Sequence, residues 1–554
     1  MEKSSSSSQR SSMTALEGAA EADREVTLLA RRVEERIEDY GGDDVREPEP
    51  KNRPTFSLPP RDPALIDWDG PEDSTNPQNW TRSRKWMITM TCVLLSLNVS
   101  FASSAPTPAS FHLMREFGIN QETTYVVVTV FLVGFALGPS FWGPGSEVFG
   151  RRNVLLFTMS LYTLFHLGQA LAKNIETLLI CRFFSGFFGV SPFTICGGII
   201  ADVWPAVGRA PAISLFSASV FLGPVLGPIV GGFIATSDVT WRWIYWVMMI
   251  FGGFCTVVAF FLLPETFAPV ILERKLLHLR KTDPSKVEGK KAERDNQDWS
   301  FRGLLHRTVF RPFSMLLQEP ILVLVTLYMS LVYGVLYALF EAIPIIFMEN
   351  HGFNLWQTGL VFIGVGVGTT IGALTTLFSS SHYPELVIKW KGFPPPEERL
   401  RGGMLGAPAL VIGAFWMGWT GQYPEIHWIV PVIALSFIGA SICLIFNSFL
   451  SYLVDTYLMF AASAFASNTI VRSLVAAAFP LFTVQMYHGL GINWASTLIG
   501  LIALVLAPIP FLFYKFGPRI RQNSKFAPCI DLKIAEVLRF EEEERSLSEK
   551  KATV

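Results

Sequence analysis

Twelve long apolar runs, each near the length needed to cross a bilayer, constrain this chain more than any other feature. They lie at 86–105, 124–142, 153–172, 177–200, 210–235, 243–263, 320–347, 357–378, 404–421, 428–450, 461–486 and 493–514. A helix needs about 20 apolar residues to cross hydrocarbon. Lipid offers no partner to a bare N–H or C=O group, so a spanning segment must be helical or part of a closed barrel. Buried helices of a large soluble protein are the competing reading. Composition argues against it: 50% of residues are hydrophobic, only 16% are charged and the mean hydropathy is +0.37, whereas soluble domains carry about a quarter charged residues. The expected fold is all-α and integral to the membrane, with twelve transmembrane helices.

The polar ends and loops set the expected arrangement. Residues 1–80 hold ten basic and eighteen acidic residues and open with a serine tract, Ser4 to Ser8. A segment so charged and so poor in large apolar groups is expected to be a disordered tail. Within it Leu29, Val33 and Ile37 recur at helical spacing, though a solvated tail is the plainer reading. After Phe516 the chain turns polar again, giving a second tail at 515–554. Basic residues gather in the loops on one side: Arg82, Arg84 and Lys85, then Arg151 and Arg152, Arg209, eleven between 264 and 318, and Lys389, Lys391, Arg399 and Arg401. Arg115 and Lys173 face the other way. The positive-inside bias then places both termini and the long 264–319 loop in the cytoplasm. That loop divides the spans six and six, into bundles at 86–263 and 320–514. Two bundles joined by a linker suit a carrier that rocks one half against the other, for which a channel has no need.

Several chemistries have no support in the sequence. A net charge of −1 gives no basic field for nucleic acid. The six cysteines, at 92, 181, 196, 255, 443 and 529, show no metal-ligand spacing. No phosphate-binding Gly-x-x-x-x-Gly-Lys-Ser/Thr loop occurs, and no nucleophile constellation suggests an enzyme. The expectation is a monomeric membrane carrier without metal or cofactor, driven by an ion gradient.

Local motifs sharpen this. The loop after the second run reads Gly143-Pro144-Gly145-Ser146-Glu147-Val148-Phe149-Gly150-Arg151-Arg152. Its glycines allow a tight turn, and its acid and arginines can pair at the membrane face. It resembles the loop 2–3 motif of the major facilitator superfamily, Gly-x-x-x-Asp-x-x-Gly-Arg-Arg, with Glu147 at the usual Asp and Gly145 and Val148 departing from the pattern. The resemblance implies a conformational charge relay of Glu147, Arg151 and Asp202, the last at the end of span four. Span four also carries Leu178-x-x-x-Arg182-x-x-x-Gly186, similar to a superfamily motif whose arginine is implicated in proton transfer; snorkelling towards water is the bland alternative for Arg182. In span five, Gly223-Pro224-Val225-Leu226-Gly227-Pro228-Ile229-Val230-Gly231-Gly232 makes a smooth packing face bent by prolines. It is similar to the antiporter motif of exporters, carried by Gly223, Pro224, Gly227, Gly231 and Gly232, which implies efflux. Asn76-Pro77-Gln78-Asn79-Trp80, Trp241-Arg242-Trp243, Pro264-Glu265-Thr266, Pro396-Glu397-Glu398-Arg399-Leu400 and Ser524-Lys525-Phe526-Ala527-Pro528 together resemble the fungal twelve-span drug:proton antiporters, over about 76–530.

Few charges lie inside the spans. Glu341 in span seven is the carboxyl suited to bind either a proton or a cationic substrate, which antiport requires. Its nearness to the outer end is the counter-argument. Arg182 and Glu341 are therefore the candidates for proton coupling. Arg472 reads as a partner for an acid or lipid headgroup, Asp455 as a helix cap and His166 as a packing histidine. By the resemblance, Tyr333, Tyr337, Phe340, Asn447 and Asn468 lie on cavity-lining spans. Aromatic faces with amides and one acid suit an amphipathic or cationic compound. The expected function is proton-coupled export of a drug, fungicide, toxin or polyamine across the plasma membrane. Uptake of a nutrient or polyamine, or a transporter-like sensor, are the alternatives.

Overall fold

A computed structural model describes residues 64–552, apart from 71, 206–207, 288, 293–309, 380–381 and 391. The segment holding Leu29, Val33 and Ile37 lies outside the described residues. Twelve helices occupy the twelve apolar runs. They are α1 (Arg82–Ser104), α2 (Gln121–Leu137, continued by Pro139–Phe149), α3 (Arg151–Ala170), α4 (Ile175–Gly189, continued by Ser191–Val203), α5 (Ala210–Thr236) and α6 (Arg242–Leu262). The second six are α7 (Pro320–Pro344, continued to Asn350), α8 (Leu355–Ser379), α9 (Arg401–Gly421), α10 (Ile429–Tyr457), α11 (Ala461–Leu490) and α12 (Ile492–Leu506, continued by Ile509–Arg521).

Ten of these are long and apolar enough to cross a membrane as single helices. An eleventh qualifies if α2, bent by 42° where Pro139 follows Gly138, counts as one span. The twelfth, α3, is less apolar because it carries Asn153, His166 and Gln169 among its twenty residues. Large apolar side chains such as Phe141, Phe157, Phe254, Phe261, Ile371 and Phe378 point outward and stay exposed. A soluble protein seldom leaves so broad an apolar surface bare; it suits contact with acyl chains.

Packing repeats after six helices. In the first half α1 packs on α5, α2 on α4, and α3 on α4 and α6; in the second, α7 packs on α11, α8 on α10, and α9 on α10 and α12. The halves meet through α2 against α11 and α5 against α8, the same pairing with the halves exchanged. Asn120 and Asn174 cap α2 and α4 through the backbone N–H groups of Thr123 and Thr177, a favoured N-cap chemistry.

We call the end at which the described residues begin, near Leu65, and finish, in Ile530–Ala552, the basic end. There the polar segments are tied down. Leu65 pairs with Lys291 beyond α6, and Ile66 packs with Leu272 and Leu276 of a linker helix, Ala268–Thr282. Lys275 of that helix reaches Asp69 at 2.8 Å and Asp73 at 3.3 Å. Against the upward pull of burial, the backbone N–H of Asp69 together with Thr75 and Lys275 holds the Asp73 carboxyl well below the usual range. At the other terminus a helix, Ile530–Ala552, seats Ile530 and Ile534 against Phe393. Its Asp531 and Glu397 both bind the buried Arg521, with Nη2–Oδ2 at 2.8 Å and Nε–Oε1 at 2.9 Å. Removing one partner of a buried ion pair leaves the other charge stranded. Arg521→Met should therefore cost about 3–5 kcal/mol, seen as a lowered melting temperature of the purified protein in detergent; an unchanged value would rule out this anchoring.

Candidate functional site

Three zones along the interface hold the candidate residues. At the basic end, Arg151 opens α3 and binds Asp202 at the end of α4, with Nε–Oδ2 at 2.5 Å and Nη2–Oδ1 at 3.4 Å. Its guanidinium also lies 4.8 Å over the Phe267 ring. Glu147 is close enough to act on Arg151 electrostatically. Thus the three relay candidates come together. Two residues that the relay motif did not name join them. Glu265 accepts the backbone N–H groups of Arg151 at 3.0 Å and Arg152 at 3.3 Å, capping α3. Thr266 donates its hydroxyl to Asp202 at 3.1 Å. Both belong to Pro264-Glu265-Thr266, whose place in the sequence was visible while its partner was not.

The second half builds the same device. Arg399, just before α9, binds Asp455 at 2.8 Å and stacks 3.4 Å over Tyr383, whose hydroxyl donates to Asp455 at 2.6 Å. Asp455 lies within α10 near its C-terminal end and is an ion-pair partner, not a helix cap. Arg521 closes the group from α12.

Two turns inside the start of α4, Arg182 is fully buried and does not snorkel. Its Nη1 donates to Ala102 O at 2.9 Å, Nε to Val127 O at 3.3 Å and Nη2 to Ser103 O at 3.4 Å, and the group lies 4.5 Å over Phe131. Carbonyl oxygens of α1 and α2, rather than an acid, satisfy it. His166 meets Gln169 at 3.2 Å and packs edge-on to Tyr162. The antiporter motif packs α5 on α1: a Cβ at Gly223 or Gly227 would overlap Ser100 or Ser104, and Gly231 faces Ala105. Gly232 turns instead to the other half, where a Cβ would stand 2.9 Å from the Leu355 carbonyl. Pro228, lacking an N–H, leaves the Pro224 carbonyl to accept from Ser104 Oγ at 3.1 Å, and Pro224 likewise leaves Val220 O to accept from Ser100.

Tyr333, Tyr337, Phe340, Asn447 and Asn468 are all buried. The first three form an aromatic ladder on α7, with centroids 5.1 Å and 5.4 Å apart, that continues to Phe362 of α8 and Phe446 of α10. Asn468 donates to Thr326 Oγ1 at 3.1 Å, and Asn447 turns back onto Cys443 of its own helix at 3.5 Å. Glu341 is 7% exposed and, at the end opposite the basic one, lines a cavity of about 80 Å³ shared by both halves. Gln121 and Tyr125 of α2 enter it from the first half, Thr358 and Phe362 of α8 from the second. Arg242, a further base at this end, is neutralised by Glu116 at 2.7 Å. No group of three or more His, Cys, Asp or Glu is placed to hold a metal among the described residues.

Two pseudo-equivalent six-helix halves, polar groups buried between them and ion-paired ends define a membrane transporter. The chain belongs to the Major Facilitator Superfamily, whose sequence profile matches residues 92–480. It is 42% identical over 472 residues to the ascochitine biosynthesis cluster MFS transporter of Didymella fabae, covering 85% of this chain and 90% of that one. It is 41% identical to the MFS-type efflux pump MFS2 of Trichophyton rubrum (84% and 78% covered). Identity is also 41% to the multidrug transporter mdrA of Aspergillus fumigatus (85% and 77%). The proton:xylose symporter XylE bound to a bromo-deoxyglucose has the same fold, with a TM-score of 0.58 at 19% identity over 79% of this chain and 96% of that one.

Overpacking a close helix contact costs about 1–3 kcal/mol. Gly227→Leu should therefore wedge α5 off α1, lowering thermal stability in detergent and blocking transport, while the same change at Gly145, which has open space around it, should leave stability unchanged. Equal effects at the two sites would refute the packing role.

Proposed function

We propose that this chain is a proton-coupled exporter of a small amphipathic organic compound, working by alternating access in the plasma membrane with both termini in the cytoplasm. The observation that carries the reading is Glu341. It is the buried carboxyl of α7, it lines a cavity built by both halves, and no ion pair neutralises it among the described residues. An ionised carboxylate is costly within a membrane, which favours a proton or a cation as its companion. Opening of the cavity towards the acidic outside loads the proton; closure and opening at the basic end release it. Each charge crossing 100 mV supplies about 2.3 kcal/mol. The names of the relatives, one from a biosynthesis cluster, one an efflux pump and one a multidrug transporter, support an organic cargo and an outward direction. So does the close-packed motif of α5.

The relay at the basic end fits the same cycle. Arg151–Asp202 ties α3 to α4 in one half, and Arg399–Asp455 ties the start of α9 to α10 in the other. Each half then moves as one body, and α2 against α11 and α5 against α8 are the surfaces that slide. Asp202→Asn and Asp455→Asn should each slow interconversion, read as altered reactivity of single cysteines placed at the two ends.

Coupling is tested by growth and flux. Overexpression should raise tolerance to an exported toxic compound more at acidic than at neutral external pH, and Glu341→Gln should abolish this pH advantage. In everted vesicles, accumulation of that compound that survives collapse of the proton gradient would reject proton coupling.

A further inference from the structure

Among the described residues, Arg472 of α11 departs from the other buried arginines, Arg182 and Arg521, and from the half-buried Arg151 and Arg399. Arg151, Arg399 and Arg521 each face a carboxylate, and three carbonyl oxygens satisfy Arg182. Arg472, 7% exposed, has one polar contact among the described residues, Nη1 to Asn468 Oδ1 at 3.5 Å, the outer limit for such a bond. Its Nε is buried with no partner, and no acid pairs with it among the described residues. Its guanidinium lies 5.4 Å over Tyr333 and 5.1 Å over Phe446. Phe446 in turn meets Phe221 of α5, in the other half, at 5.0 Å. The cage is therefore at the interface of the halves, and Tyr337 stands within electrostatic reach of both Arg472 and Arg182. Glu341 lies one helical turn beyond Tyr337, in the cavity at the opposite end.

A buried charge is retained where something pairs with it. Among the described residues the protein brings no anion to Arg472, while the aromatic walls are suited to a flat ring. We infer that the cage of Tyr333, Tyr337, Phe446, Phe221 and Asn468 around Arg472 is the cargo site, and that it takes an organic anion, an aromatic carboxylate or phenolate whose oxygens accept from the free guanidinium edge. This rests on the transporter reading above and narrows its substrate. It takes the amphipathic side of the sequence expectation and sets an anion against the cationic alternative, which Arg472 would repel.

The test uses the full chain in lipid nanodiscs and three probes on one ring system: naphthoate, naphthalenemethanol and naphthylmethylammonium, with binding followed by calorimetry. Naphthoate should bind most tightly. Arg472→Gln should weaken it by about thirtyfold or more, as when one partner of a buried charge pair is lost, and leave naphthalenemethanol unchanged. Arg472→Lys should keep the order of the three. Equal binding of the probes, tighter binding of the ammonium, or no binding of naphthoate overturns the inference, and the wild-type order alone decides it if Arg472→Gln does not fold. Naphthoate that binds in this way but is not moved outward in everted vesicles would reject export and leave the anion site standing. Export of an organic cation without preference for naphthoate would reject the anion site alone.

Discussion

Hydrocarbon gives a polar group nothing to bond to, and each level of this structure answers that constraint. Backbone groups bond within helices. With no water to expel between them, helices associate through close packing and a few buried hydrogen bonds. Gly223 and Gly227 let α5 lie against α1 closely enough for Ser104 to donate to the Pro224 carbonyl. The same rule joins the halves, where Gly359 of α8 stands so near the Pro228 carbonyl that a Cβ would come within 2.6 Å of it. Contacts so tight have few continuous distortions available, which favours halves that move as rigid bodies.

Charge follows the same constraint. Where arginines serve as fasteners they sit at the ends with carboxylates beside them, at the basic end in Arg151–Asp202, Arg399–Asp455 and the Glu397–Arg521–Asp531 group and at the other in Arg242–Glu116. Within the membrane the pattern changes. Arg182 leans on carbonyl oxygens, Arg472 on aromatic faces, and Glu341 on a cavity. A fastener gains from a fixed partner. A group whose partner must come and go, as proposed for Arg472 and Glu341, gains from having no fixed counter-charge built in.

Much of the fold was legible because the signal is one-dimensional. Apolar length alone located α1 to α12, with helix ends up to about seven residues beyond the runs; the run at 86–105 became Arg82–Ser104 and that at 493–514 became Ile492–Leu506 continued by Ile509–Arg521. The 42° bend of α2 at Gly138 and Pro139 was not legible from apolar length, which runs on through it. The Arg151–Asp202 pair was legible through its motif. Its completion was not: Glu265 caps α3 from 114 residues away, and Asp455 meets Arg399 across 56. Spacing reveals a charge in a span but not what stands opposite it. The surroundings of Arg472 were hidden for that reason, because its aromatic neighbours Tyr333 and Phe446 come from α7 and α10 and no periodicity connects them to α11.

The two proposed sites converge on α7. Tyr333, Tyr337 and Glu341 are spaced by four residues and so share a face, with Tyr333 under Arg472 and Glu341 in the opposite cavity. Beyond them the helix contains Pro344, then widens to a π-helical turn over Ile345–Asn350, a distortion that recurs at functional sites. A segment with weakened backbone bonding is where rotation costs least. Rotation of α7 about that segment would move the Tyr333 face and Glu341 together, so that filling one site changes the surroundings of the other. Coupling between cargo and proton then needs no chain of hydrogen bonds across the membrane, only a helix stiff enough between Tyr333 and Glu341 to turn as a unit, which its buried and regular packing over that stretch supplies.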